Sequence, residues 1–180
     1  VLNADPKQNT PITVKVGHTL DKKDDDTRTI TRTVEITTPD GKTSTQKQDA
    51  TFTRETNYDE VLGHDVYGDW DAATKQLDAI NVPDIKGYAK SSDVPAINVT
   101  PDTSSFTLKV TYKAIGQTVT INYKDADGNV VGNQTVTGQT GQTEDINYQL
   151  PDKWTGDISK APKNITFNGD SQPDIDITIS

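Results

Sequence analysis

Apolar and polar residues alternate with a period of two along much of this chain, and this limits the fold more than any other feature. Five segments show it: ITVKV (12–16), RTITRTVEI (28–36), FTLKVTY (106–112), VTINY (119–123) and IDITI (175–179). Successive side chains of a strand point to opposite faces, so the period predicts strands with one apolar face. Arg32 interrupts the apolar face of the second segment. The pattern predicts a mostly β protein.

One segment favours a helix. DWDAATKQLDAI (69–80) spaces Ala73, Leu77 and Ile80 as on one helical face, and Asp69 is a suitable N-cap. Thr and β-branched residues, which prefer strands, prevail elsewhere. The sequence therefore predicts a mostly β, α+β chain with little helix.

The chain also contains an internal repeat. TVEITTPDGK (33–42) and TINYKDADGN (120–129) both read as a strand, an Asp-Gly pair and a polar continuation. A Pro-Asp element and a final alternating strand follow in each half. This order predicts two domains of related topology, 1–116 and 117–180, the first with an insert at 56–80.

The segment DADGN (125–129) resembles the start of a calcium loop. An EF-hand loop needs Gly at its sixth position and Glu at its twelfth, but here Gly128 is fourth and Val136 is twelfth. Asp-Gly between alternating segments is a hairpin signal, and Asp40-Gly41 repeats it. We predict a turn and no metal; a weak calcium site in the charged loop DKKDDD (21–26) stays open.

Little in the sequence indicates catalysis. His18 continues the alternation of the first strand, and His64 has no serine nucleophile near it. Cysteine and the common hydrolase, metalloprotease and phosphate-loop motifs are absent, so we predict no catalytic residue and no cofactor. The net charge of −9 argues against nucleic acid and anionic membrane surfaces as partners.

Tyr67 and Trp70 are the candidate ligand-binding residues. They lie in VYGDW (66–70), within the polar insert. Flat aromatic rings with a polar rim suit the C–H faces of sugars. The alternative is that Trp70 closes a small core in the first domain.

The segment VTINYKDADGNVVGNQTVTGQTGQT (119–143) resembles the MucBP domain, the mucin-binding module of lactobacillus surface proteins. The first part of the chain resembles the companion domain of the longer mucus-binding (Mub) repeats. The segments that carry this second resemblance are TRTITRTVEITTPDGK (27–42), ATFTRE (50–55), the region of Trp70, VPDIKGYA (82–89) and LKVTYK (108–113). LPDKWTG (150–156) departs from the family, which often has a Gly-Tyr pair after the proline.

The resemblance implies two tandem β-grasp (ubiquitin-like) domains, elongated and non-catalytic. It implies a secreted adhesin, anchored to the cell wall of a Gram-positive bacterium, whose partners are host mucin glycoproteins. The chain does not begin with Met, so we expect a piece cut from a longer protein, and the resemblance implies a monomer within a multi-repeat chain. No apolar run reaches the roughly 18 residues of a membrane span, so we expect no membrane insertion in this fragment.

Two other functions stay open. A β-grasp sheet with an open edge can add a strand from a protein partner, for which immunoglobulin is the candidate. Alternatively, the repeat is a spacer that extends a binding tip away from the cell.

Overall fold

The computed structural model describes residues 13–180, and within that range it contains fifteen strands and no helix. No helix there could cross a membrane. The strands are β1 (Leu20–Lys22), β2 (Asp26–Thr37), β3 (Thr43–Arg54), β4 (Thr56–Asp59), β5 (His64–Tyr67), β6 (Lys75–Leu77), β7 (Tyr88–Lys90), β8 (Ile97–Val99), β9 (Phe106–Val110), β10 (Tyr112–Ala114), β11 (Gly116–Lys124), β12 (Val130–Gln139), β13 (Thr143–Asp145), β14 (Asn164–Thr166) and β15 (Ile175–Thr178).

Two three-stranded sheets share one arrangement. Their strand orders are β3-β2-β9 and β12-β11-β15. In each sheet a hairpin supplies the first two strands, and a later strand, β9 or β15, lies parallel to the first strand of the hairpin. This is the strand arrangement of a β-grasp, so the prediction of a mostly β chain with two β-grasp sheets is confirmed.

The two hairpin turns have the same hydrogen bonds. In the first, the Thr38 N–H donates to Lys42 O (2.9 Å) and the Gly41 N–H donates to Thr38 O (2.9 Å). In the second, the Asp125 N–H donates to Asn129 O and the Gly128 N–H donates to Asp125 O, both at 3.0 Å. Only the glycine of each Asp-Gly pair has positive φ, +82° and +85°. The prediction of a repeated turn is confirmed.

The prediction of a helix over 69–80 is wrong. Residues 75–77 form β6, which pairs with β8, and the Ile80 N–H donates to Val94 O (2.9 Å). Leu77 and Ile80 are buried in this extended conformation, whereas Ala73 is exposed. Pairing with distant strands satisfies the backbone here, and it overrides a helix signal that Asp and Thr already weaken.

The strand predicted at 12–16 is also wrong for its described residues, 13–16; Ile12 lies outside the described part of the chain. Val14 and Val16 are 72% and 88% exposed, and no strand includes them. The first described strand is β1, which contains Asp21 and Lys22 of the segment predicted as a charged loop. An alternating segment forms a strand only where another strand can accept its backbone hydrogen bonds.

The described chain packs as two compact units. Unit 1 contains the described residues up to Ile30, Asp49–Gln76 and Asn98–Ser105. Unit 2 contains Thr31–Gln48, Leu77–Ile97 and Phe106–Ser180. Each unit buries its own apolar side chains, among them Phe52 and Val99 in unit 1 and the cluster Val34, Ile36, Ile80, Val82, Val94 and Val110 in unit 2. The division of the sequence at residue 116 stays a prediction.

Two glycines meet backbone to backbone within unit 2. A Cβ built on Gly87 would lie 2.7 Å from the Gly169 Cα, and both residues have positive φ. The Ile115 N–H donates to Gly87 O (2.8 Å), and the Thr140 N–H donates to Ile115 O (3.1 Å). Gln117 Oε1 accepts the Gly169 N–H (3.0 Å). We call this contact the glycine joint; it holds the chain on both sides of Gly116.

Candidate functional site

The structure brings the two predicted aromatic residues together around an arginine. The Arg54 Cζ lies 4.0 Å from the ring centroid of Tyr67 and 4.4 Å from that of Trp70. Asp26 Oδ2 accepts a hydrogen bond from the Arg54 Nε (2.7 Å). A guanidinium held by a carboxylate and stacked on aromatic faces is fixed in position. We call these four residues the arginine–aromatic cluster.

The register of the β2–β3 hairpin produces this cluster. Asp26 begins β2 and Arg54 ends β3, and the two lie at equal distances along the chain from Asp40. Two hydroxyl pairs at 2.9 Å mark the same register: Thr29 with Thr51, and Thr37 with Thr43. No sequence motif predicts Asp26 and Arg54 as site residues, although counting outward from the predicted turn places them opposite each other.

Trp70 also contacts the interior of unit 1. Its ring meets Phe52 edge to face, with centroids 6.5 Å apart and planes at 75°. Phe52 is fully buried, whereas Trp70 is half-buried and Tyr67 is 52% exposed. The indole is therefore held by both Phe52 and Arg54, and part of its surface remains exposed.

Trp70 forms part of the wall of a cleft of about 480 Å³ in unit 1. The lining residues are Asp69, Trp70, Ala72, Ala73, Thr100, Pro101 and Asp102. Tyr67 is not part of this lining. The cleft combines an apolar surface with two carboxylates and a hydroxyl, which is the composition of a site for a polar ligand with apolar faces.

A tight turn forms the far wall of this cleft. The Thr103 N–H donates to Thr100 O (3.0 Å), and the Thr100 N–H donates to Thr103 Oγ1 (2.9 Å). Pro101 is buried, while the Asp102 side chain is 97% exposed at the tip. The Arg28 Nη1 lies 4.0 Å from Asp102 Oδ1, which is too far for a hydrogen bond. The Asp102 carboxylate therefore stays accessible to a ligand.

A larger cleft in unit 1, of about 700 Å³, has a different character. It is lined by Lys22, Lys23, Asp24, Thr56 and Asp65. The Lys23 Nζ donates to Asp65 Oδ1 (2.7 Å) and lies 4.8 Å from the ring centroid of Tyr58. Since no aromatic side chain lines this cleft, it offers no stacking surface, and the Trp70 cleft is the better candidate.

Two of the carboxylates considered as metal ligands, Asp125 and Asp26, have protein partners. The Asn129 side-chain amide donates to Asp125 Oδ2 (3.1 Å), and Asp125 Oδ1 accepts the backbone N–H groups of Asn129 (2.8 Å) and Asp127 (3.0 Å). These hydrogen bonds stabilise the turn and lower the pKa of Asp125. In the predicted charged loop, Asp26 is bound to Arg54. Across residues 13–180, no group of three or more His, Asp or Glu side chains is placed to hold a metal.

His18, predicted to lie on a strand face, instead precedes β1 and binds Asp59. The His18 Nδ1 lies 2.5 Å from Asp59 Oδ2, and Asp59 Oδ1 accepts the N–H groups of Val61 and Leu62, both at 2.9 Å. Burial raises the pKa of Asp59, but these hydrogen bonds outweigh burial and lower it below the ordinary value. An ionised Asp59 only accepts, so Nδ1 carries the proton.

The lowered pKa of Asp59 predicts how stability depends on pH. The contribution of ionised Asp59 is complete above the ordinary pKa of about 3.9 and is lost as the pH falls through the lowered pKa. We expect Asp59→Asn to have a lower Tm than the wild type at pH 7, and the difference to shrink below a pH of about 4. Thermal unfolding from pH 7 to pH 2 measures it. Asp152→Asn, at an exposed site, is the control; a constant difference for Asp59→Asn would contradict the assignment.

A family model described as the Muc B2-like domain matches residues 21–116, more than half of the 180-residue chain. The chain belongs to the Muc B2-like domain family. The match includes the whole β3-β2-β9 sheet, the arginine–aromatic cluster and the Trp70 cleft of this Muc B2-like chain. The resemblance to mucus-binding repeats is confirmed by this match. No curated protein matches the chain.

Several solved structures are similar to the Muc B2-like chain. Mub-RV is 25% identical, with a TM-score of 0.47, and the match covers 54% of this chain and 60% of Mub-RV. The mucin-binding domain of Spr1345 from Streptococcus pneumoniae is 25% identical, with a TM-score of 0.44. That match covers 51% of this chain and 95% of that domain. The type 2 repeat of the mucus binding protein MUB from Lactobacillus reuteri is 34% identical, with a TM-score of 0.39. That match covers 49% of this chain and 50% of that repeat.

The chain thus spans less than two thirds of the length of Mub-RV and half that of the MUB repeat. Mucin-binding repeat domains are typically parts of extracellular surface adhesins. This family context agrees with a role of the Muc B2-like chain in adhesion to mucus.

Proposed function

We propose that this chain is a non-catalytic adhesin module that binds the glycans of host mucin glycoproteins in the Trp70 cleft. The observation that carries the proposal is the half-buried indole of Trp70 on the wall of an open cleft, beside the exposed carboxylate of Asp102. Family membership and the mucin- and mucus-binding descriptions of similar structures support it. The module belongs to a multi-repeat protein on the wall of a Gram-positive cell.

The chemistry of the cleft suits a sugar. The apolar C–H face of a pyranose ring stacks on an indole, and its hydroxyl groups donate to carboxylates. The indole is held by Phe52 and Arg54 before a ligand arrives. A rigid stacking surface loses little side-chain entropy on binding, which favours affinity.

Replacing the indole tests the proposal directly. We expect Trp70→Ala to weaken the binding of purified mucin about tenfold or more, because the stacking surface is lost. Tyr67→Ala is expected to weaken binding less, since Tyr67 does not line the cleft and acts only by holding Arg54. Surface plasmon resonance with the chain at high density measures both, because arrays of weak sites gain strength through multivalency.

Two controls separate binding from folding. Trp154→Phe changes the other tryptophan, which packs against a core cluster in unit 2, and is expected to leave binding unchanged. The Tm of Trp70→Ala is measured alongside, since Trp70 also contacts Phe52. Wild-type binding by a folded Trp70→Ala variant would reject the Trp70 cleft as the glycan site.

Protein recognition is the second candidate function. The strand β3 is at one edge of its sheet, and its residues 43–47 are exposed. An open edge can pair with an extended segment of a partner, such as immunoglobulin, through backbone hydrogen bonds. Binding that persists after enzymatic removal of all glycans from the partner would favour this function over glycan binding. Absence of binding to mucin and to immunoglobulin at high density would favour a spacer.

A further inference from the structure

The structure points to a specificity for uncharged sugars: we propose that the Trp70 cleft accepts neutral glycan termini and rejects sialylated or sulfated ones. This inference rests on the proposed function, since it concerns the same cleft. It names the class of ligand within the glycans of mucin, some of which end in acidic groups and some in neutral ones.

Both charged side chains that line the cleft are carboxylates. Asp69 and Asp102 are exposed, and the Asp102 side chain is 97% exposed. A carboxylate accepts hydrogen bonds from sugar hydroxyl groups but cannot donate one when ionised. A ligand carboxylate or sulfate would therefore meet a like charge and no donor on these two side chains. The hydroxyl groups of a neutral sugar can donate to both carboxylates without charge repulsion.

The cations near the cleft are bound to carboxylates of their own. Arg54 donates to Asp26, and its guanidinium is stacked on the rings of Tyr67 and Trp70. The Lys75 Nζ donates to Asp71 Oδ2 (2.7 Å). Each pair is electrically neutral, so neither cation leaves a net positive charge to attract an acidic sugar.

Arg28 also lies beside a lining residue of the cleft, and it does not change this balance. Its Nη1 is 4.0 Å from Asp102, so it offsets at most one of the two lining carboxylates. The chain as a whole carries a net charge of −9, which adds a repulsive field for anionic ligands. The carboxylates of the cleft and the net charge of the chain therefore both repel anionic sugars.

The apolar part of the lining fits a neutral pyranose. Ala72, Ala73 and buried Pro101 line the cleft with Trp70. Small side chains leave room for a ring to lie on the indole, and the Thr100 hydroxyl adds a group that can both donate and accept. Stacking supplies attraction that is independent of charge, and the carboxylates then decide between neutral and acidic sugars.

Selective removal of acidic sugars tests the inference. The probe is purified mucin, untreated, treated with sialidase, chemically desulfated, or fully deglycosylated, with the chain immobilised at high density. We expect binding to become roughly twofold to fivefold tighter after sialidase treatment, because repulsion at the cleft is removed. Binding is expected to disappear after full deglycosylation.

Charge variants link the effect to the cleft. The double variant Asp69→Asn with Asp102→Asn is expected to abolish the gain that follows sialidase treatment, because it removes the repulsion. Asp152→Asn, an exposed residue of unit 2 outside the cleft, is the matched control and should keep the gain.

The outcomes separate the two proposals. Loss of binding after sialidase treatment, while Trp70→Ala also abolishes binding, would overturn the neutral-sugar specificity and leave glycan binding in the cleft intact. A gain that persists in the double aspartate variant would also overturn the specificity. Wild-type binding by Trp70→Ala would reject the cleft itself, and with it both proposals.

Discussion

Replacing the buried Arg32 with methionine (Arg32→Met) is expected to lower the free energy of unfolding by about 3–5 kcal/mol. The Arg32 residue is 1% exposed. Its guanidinium donates to Gln48 Oε1, to Pro95 O (2.9 Å) and to Asp78 O, so it joins β2 to β3 and to two loops. Methionine fills much of the volume but removes the donors to Gln48 Oε1 and Pro95 O, while Asp78 O keeps the Gln48 Nε2 donor (3.1 Å). Each acceptor that loses a charged donor costs free energy.

Urea unfolding at pH 7 measures the effect of Arg32→Met. Arg28→Met is the matched control, because Arg28 is on the same strand with a side chain that is 48% exposed, and it should change stability by about 0.5 kcal/mol or less. Adding Gln48→Leu to Arg32→Met removes the unpaired Oε1 acceptor but also the Gln48 Nε2 donor to Asp78 O (3.1 Å), so little of the loss should be recovered. Equal stability of Arg32→Met and Arg28→Met would contradict the structural role of the buried arginine.

Adding a single methyl group at the glycine joint (Gly87→Ala) is expected to lower the free energy of unfolding by about 2–4 kcal/mol. The φ of Gly87 is +78°, a conformation that strains an alanine. The new Cβ would lie 2.6 Å from the Thr140 side chain and 2.7 Å from the Gly169 Cα. The backbone at Gly169 cannot move aside as a flexible side chain can, so the segments that contain Gly87 and Gly169 must separate.

Gly128→Ala is the matched control for the glycine joint. Gly128 has a φ of +85° but no atom within 4 Å of a built Cβ, so it carries only the strain of the backbone, about 1–2 kcal/mol. Hydrogen exchange at the Ile115 and Thr140 amides, which donate hydrogen bonds within the joint, reports its opening. If Gly87→Ala cost no more than Gly128→Ala and left exchange unchanged, the close contact would carry no stability.

The strands and turns of both β-grasp sheets could be predicted from the sequence. Alternation over 28–36 and 119–123 corresponds to β2 and β11, and both Asp-Gly pairs form the expected turns. These features are local, because strand faces follow from the period of two and the turns follow from glycine at positive φ. Even the interruption at Arg32 was visible, although its burial was not.

The candidate site was only partly predictable. Tyr67 and Trp70 were found because they are aromatic residues in a polar segment, whereas Asp26 and Arg54 were missed. The wall of the cleft at Pro101 and Asp102 comes from a turn about thirty residues after Trp70. Proximity between such distant segments has no local signal in one sequence.

The sequence by itself determined the β class, the repeated hairpins and the resemblance to mucus-binding repeats, because each depends on the order of neighbouring residues. Only the tertiary structure decided that 75–77 is a strand, that 13–16 is not, and that Arg32 is buried. In each of these cases the outcome depends on whether distant backbone or side-chain groups can supply hydrogen-bond partners. The Trp70 cleft and the charge of its walls arise in the same way, from segments that meet only when the chain has folded.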